Sequence, residues 1–73
     1  MNKELRDIRI KLNGEERLFA AQTTIAGLIE SLDLPAVRMA VELNGEVVSR
    51  TDWSTHALSD NDRVEVVHFV GGG

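Results

Sequence analysis

The chain has 73 residues, enough for one domain, and at this length folding buries only about 60% of the surface exposed by the unfolded chain. It contains no cysteine, which excludes disulfides, thiolate nucleophiles, thiolate metal ligands and sulfur carried on a side chain. A net charge of -4, from 8 Lys and Arg against 12 Asp and Glu, speaks against nucleic acid as a partner and for docking on a basic protein surface.

No run approaches the roughly 18 apolar residues of a membrane span. The opening Met1-Asn2-Lys3-Glu4-Leu5-Arg6 leads into a strand pattern and not into an apolar signal core, so a cytoplasmic protein with no membrane partner is expected. From Asp7 to Leu12, Ile8, Ile10 and Leu12 alternate with Arg9 and Lys11, the period of a strand with one buried face. Asn13-Gly14 follows, a pair that accepts positive φ at both positions and so predicts a two-residue type I′ hairpin. That loop sets Leu12 opposite Glu15, Ile10 opposite Arg17 and Ile8 opposite Phe19, which turns Phe19 inward and Leu18 outward.

Gln22-Thr23-Thr24 supplies a capping hydroxyl, and Ile25, Leu28, Ile29 and Leu32 recur at helical spacing. One amphipathic helix of about ten residues is expected, weakened by Gly27 and ended at Leu34-Pro35. Met39, Val41 and Leu43 then alternate with Ala40 and Glu42, and Asn44-Gly45 repeats the hairpin signal, setting Val41 opposite Val48. Arg50 to Thr55 has no period and reads as a loop or single helical turn in which Trp53 covers an edge of the core. Asp60-Asn61-Asp62 is a turn. The last strand runs from Arg63 to about Phe69, with Val64 and Val66 on one face and Glu65, Val67 and Phe69 on the other. The order strand, strand, helix, strand, short strand, strand argues for an α+β domain with a mixed sheet burying one face against the helix. Val67 and Phe69 then form an apolar pair on the open face, a feature that marks an interface.

The chain closes on Val70-Gly71-Gly72-Gly73. Held extended, four residues reach roughly 13 Å, and the glycines offer a narrow channel no side chain to clash with. Two readings stand side by side: a tail shaped for insertion into a partner, and a frayed terminus or linker.

These residues carry a resemblance. The β-β-α-β-β order ending in a strand and a Gly-Gly terminus resembles the ubiquitin-like β-grasp fold, and more closely the ThiS family of small sulfur carriers of thiamin biosynthesis. It rests on Leu12-Asn13-Gly14-Glu15, Thr23-Thr24-Ile25-Ala26, Val41-Glu42-Leu43-Asn44-Gly45, Arg50, Trp53 and the closing run from Asp62 to Gly73. Asn61 stands where the family's turn often has Gly, and Ala20 where Pro is frequent. The resemblance implies a β-grasp body over residues 1–69 and a flexible tail over 70–73. It further implies that the carboxylate of Gly73 is adenylated and converted to a thiocarboxylate, with Gly71 and Gly72 as the tail and Val67, Phe69 and Val70 meeting the partner. The implied partners are a ThiF-like adenylating enzyme that uses ATP, a ThiG-like thiazole synthase, and a sulfur donor such as a cysteine desulfurase.

The chain is thus read as a protein co-substrate and not an enzyme, with no bound cofactor, since it lacks a Gly-x-x-x-x-Gly-Lys loop. His56 and His68 lie far apart with no third ligand, which argues against a metal site, and His68 reads as a surface or edge residue. Asp60 and Asp62 are expected to bond local amides. Three alternatives use the same body: a carrier like the small subunit of molybdopterin synthase, a ubiquitin-like modifier, and a plain β-grasp interaction module that tolerates loss of the tail.

Overall fold

Both Asn-Gly pairs adopt the left-handed backbone that a type I′ turn requires, with φ of 50° and 85° at Asn13 and Gly14 and of 51° and 90° at Asn44 and Gly45. The first joins β1 (Ile8–Leu12) to β2 (Glu15–Phe19) and the second joins β3 (Met39–Leu43) to β4 (Glu46–Val48). Each hairpin has the expected register: Ile8 faces Phe19, Ile10 faces Arg17, Leu12 faces Glu15, and Val41 faces Val48. The computed structural model describes residues 7–33 and 38–68.

β5 (Arg63–His68) runs between the two hairpins, parallel to β1 and antiparallel to β3, giving the sheet order β2-β1-β5-β3-β4. Ile10 and Leu12 of β1, Met39 and Val41 of β3 and Val64 of β5 all turn to one face and are buried. The helix α1 (Ile25–Ser31), the one α-helix among the described residues, covers that face with Ile25, Leu28 and Ile29, while Phe19, Leu32, Val48 and Val66 pack around them half-buried.

The helix is shorter than the apolar period predicts, seven residues and not about ten. Asp33 already has a φ of 58°, so the chain leaves the helix before Leu34-Pro35, which lies outside the described residues. The amides opening the helix, which have no partner within it, are all met. Thr24 Oγ1 accepts from Gly27 N–H at 3.1 Å, and its carbonyl accepts from Leu28 at 3.0 Å. The carbonyls of His56 and Trp53 accept from Ile25 at 3.0 Å and Ala26 at 2.9 Å. The segment after β4 is therefore a cap for the helix as well as a connection.

That segment begins with a 3-10 turn, Arg50–Asp52, followed by Trp53, which is buried in the core. The indole Nε1–H donates to Val48 O at 3.2 Å, and the Arg50 guanidinium lies 4.6 Å from the ring centroid. Arg50 Nη2 also donates to Met39 O at 3.1 Å, so one arginine ties the turn to both the indole and the start of β3.

The acidic turn before β5 divides its work. Asp62 Oδ2 accepts from the amide of Ser59 at 2.8 Å, the local bond expected, but Asp60 Oδ1 accepts from Arg9 N–H at 2.7 Å, far away in sequence. Asn61 has a φ of 73°, which explains why a glycine is at home at this position.

Candidate functional site

β5 is the last described strand before the tail in sequence, and it lies in the middle of the sheet. On the face away from the helix stand Arg63, Glu65 and Val67 of β5, with Glu42 opposite Glu65 and Ala40 opposite Val67 on β3. Val47 of β4 faces Glu42 from the other side. Val67 is 50% exposed and Val47 is 74% exposed, so the open face carries apolar side chains around a pair of carboxylates. Val67 stands where its alternation predicts. Phe69, Val70, Gly71, Gly72 and Gly73 lie outside the described residues.

At the other end of the same face, Lys11, Glu16, Asn61 and Arg63 line a shallow depression of about 300 Å³. Glu16 faces Lys11 across β1 and β2 and pairs with Arg9 at 3.4 Å. Its lining side chains are exposed, Glu16 alone of them in an ion pair, and among the described residues no nucleophile and base converge there. Among the described residues no group of three or more His, Cys, Asp or Glu side chains could hold a metal ion. Among them, too, no helix is long and apolar enough to cross a membrane.

His68 is half-buried and not a surface residue, although β5 has by then run past the end of β1 and has β3 alone beside it. It stands opposite Met39 of β3, with its side chain on the helix face. Its Nε2 is out of contact with solvent and has no hydrogen-bond partner among the described residues. The alternation Val64, Val66, His68 accounts for its inward side chain.

Sequence reasoning missed Ala40, Val47 and Glu42 as neighbours of Val67 and Glu65. Alternation assigned each its face, but nothing local says that β3 lies beside β5. It also missed that the turn asparagines bond to β5: Asn44 Oδ1 accepts from Arg63 N–H at 2.9 Å, and Asn13 grips Val66 in the same manner.

The chain matches the ThiS family model over residues 2–73. It belongs to the ThiS family. The described sheet and helix agree with a crystal structure of the thiamine biosynthesis protein ThiS from Geobacter metallireducens, with a TM-score of 0.78 and 32% identity over 90% of this chain and 100% of that one. The fold is therefore the ubiquitin-like β-grasp. Sulfur carrier protein ThiS of Bacillus subtilis is 37% identical over 88% of this chain and 98% of its own length. A thiazole synthase of Magnetococcus marinus is 44% identical over 90% of this chain, and one of Paramagnetospirillum magneticum is 38% identical over the same share. The chain spans only 20% of the length of each of these two proteins.

Proposed function

We propose that this ThiS-family chain is a sulfur carrier of thiamin biosynthesis, a co-substrate whose cargo is held at the Gly73 carboxylate. Residues 1–69 act as the docking body and 70–73 as the inserted tail. The observation that carries this reading is the family match, which runs through to residue 73 and so includes all three tail glycines.

The chemistry follows from the carboxylate. Its charge is delocalised and its leaving group would be oxide, so it must first attack the α-phosphorus of ATP on a ThiF-like enzyme, forming the acyl-adenylate and releasing pyrophosphate. The terminal sulfur of a persulfide, supplied by a donor such as a cysteine desulfurase, then attacks the acyl carbon and displaces AMP. A thiol takes up the second sulfur as a disulfide, and the thiocarboxylate remains on Gly73. That sulfur is nucleophilic at neutral pH without a neighbouring base. A chain without cysteine can serve this chemistry because the sulfur never sits on a side chain.

The match between this chain and part of two thiazole synthases supports a ThiG-like synthase as the acceptor, and with it thiamin in place of molybdopterin chemistry. The exposed Val67 on β5 supports docking of the sheet face on the partner, with Phe69 and Val70 continuing that contact toward the tail. The proposed location is the cytoplasm, where these enzymes would meet it.

The test is intact-protein mass spectrometry after incubation with ATP, the adenylating enzyme and a persulfide donor. The expected product gains the mass difference between sulfur and oxygen, localised to the peptide ending in Gly73. A gain that maps to a side chain, or no gain with an active enzyme, overturns the reading.

A further inference from the structure

The two Asn-Gly pairs that turn the hairpins are also places where the chain can attack itself. In such a pair the glycine nitrogen adds to the asparagine Cγ, unhindered by a side chain of its own; the new N–C bond closes a succinimide ring, and the side-chain amide leaves as ammonia, taking the glycine proton. Water then opens the ring at either carbonyl, to aspartate or to isoaspartate. Both asparagines are exposed, and a Cβ on either glycine would meet nothing within 4 Å, so water and space are present at each turn. What is missing is freedom of the carboxamide. Asn44 Oδ1 accepts from Arg63 N–H at 2.9 Å and its Nδ2 donates to Asp62 Oδ1 at 3.0 Å, and rotating Cγ onto the nitrogen of Gly45 breaks both bonds. Asn13 is held to Val66 in the same way, at 2.8 and 3.4 Å.

We propose that Asn44-Gly45 is a deamidation site gated by β5: it reacts only when the turn lets go of Asp62 and Arg63, and the carboxylate it forms keeps the turn from closing again. Asp62 supplies the trap. It is half-buried, its Oδ2 accepts from Ser59 N–H at 2.8 Å and its carbonyl accepts from Lys11 N–H at 2.9 Å, so it is held in place from two other sides. Deamidation replaces the donor on its Oδ1 by an oxygen, and two carboxylates then face each other where one hydrogen bond had been. The isoaspartate product also adds a methylene to the main chain of a turn whose register depends on having two residues. At Asn13 the same change sets an oxygen against the carbonyl of Val66, a dipole in place of a full charge, so the trap is weaker there. The contact that deamidation of Asn44 destroys is the one that fastens the start of β5 to β3.

The experiment incubates the full chain in mildly alkaline buffer, native or unfolded in urea, and follows both asparagines by peptide mass spectrometry. Cleavage after Lys and Arg separates them, Asn13 in the peptide 12–17 and Asn44 in the peptide 39–50, and each deamidation adds the mass difference between a hydroxyl and an amino group. Asn44 should react at least about tenfold more slowly in the native chain, because its rate follows the population of the opened turn. Equal rates overturn the gate. Asp62→Ala, which removes the acceptor of the Asn44 amide, should speed reaction at Asn44 and leave Asn13 as it was; equal acceleration at both would mean that only global unfolding exposes the site, and overturns the gate too. For the trap, N44D should lower the urea midpoint, and the double variant N44D/D62N should restore it, since the carboxylate at 44 then accepts from an amide at 62. An unchanged midpoint in N44D, or no recovery in the double variant, overturns the trap.

Discussion

The carboxamide of Asn13 closes on the backbone of Val66 as a peptide group would: its Oδ1 accepts from Val66 N–H at 2.8 Å and its Nδ2 donates to Val66 O at 3.4 Å. The ladder between β1 and β5 pairs only Lys11 with Arg63 and Leu12 with Val64, because β1 ends at the turn while β5 runs on. Asn13 therefore extends the ladder past the end of its own strand. Its backbone takes part too, donating to Val64 O at 2.9 Å. The residue that opens the turn also holds the strand that carries the tail.

This contact separates from the turn's conformational demand by substitution. Asn13→Gly keeps the positive φ and loses both side-chain bonds, so it should cost about 1 kcal/mol. Asn13→Ala loses the bonds and also strains a φ of 50°, adding about 1 to 2 kcal/mol. Urea unfolding should rank wild type above Gly above Ala. A Gly variant with the wild-type midpoint would show that the bonds to Val66 contribute nothing.

His68 presents a buried Nε2 with no partner among the described residues. Replacing an unsatisfied polar group with an apolar one of similar size removes its desolvation penalty, so His68→Leu should raise stability by about 1 kcal/mol. The urea midpoint reads this directly. A lower midpoint would mean that the imidazole makes a stabilising bond.

Exposed valines on the open face predict binding effects without folding effects. Val67→Asp, and equally Phe69→Ala, should leave the melting temperature near wild type and weaken binding to the adenylating enzyme by about 1 to 3 kcal/mol. Titration calorimetry measures it, with Leu18→Asp as the control, since Leu18 is even more exposed but lies on the far edge strand. Equal losses at Leu18 and Val67 would spread the interface over the whole sheet.

Deleting Gly73 draws the end of the tail back by roughly 3.5 Å, more than the reach of a reaction whose atoms must come within about 3 to 3.5 Å. Gly72→Val sets a branched side chain where a channel fitted to bare backbone has no room. Both changes should abolish adenylate formation, read as pyrophosphate release, and leave the thermal melt unchanged, as the buried core of the described residues lies earlier in the chain. Continued pyrophosphate release from either variant would remove Gly73 as the acylated residue.

What the sequence by itself determined is whatever is set within a few residues. Asn-Gly at 13–14 and 44–45 imposes a backbone conformation on its own neighbours, so both hairpins, their registers and the outward side chain of Leu18 follow from it, and alternation alone turns Val67 outward. The helix was legible in its buried stripe and in the capping Thr24, but not in its length, because the positive φ at Asp33 ends it earlier than the apolar period does. The tertiary structure alone decided which strands lie side by side. Alternation gives a residue's face but not its neighbour across the sheet, since pairing between distant strands depends on how the whole apolar surface is shared with one helix. That is why the insertion of β5 between β1 and β3, the grip of Asn13 on Val66 and the meeting of Glu42 with Glu65 had no signature in the linear chain.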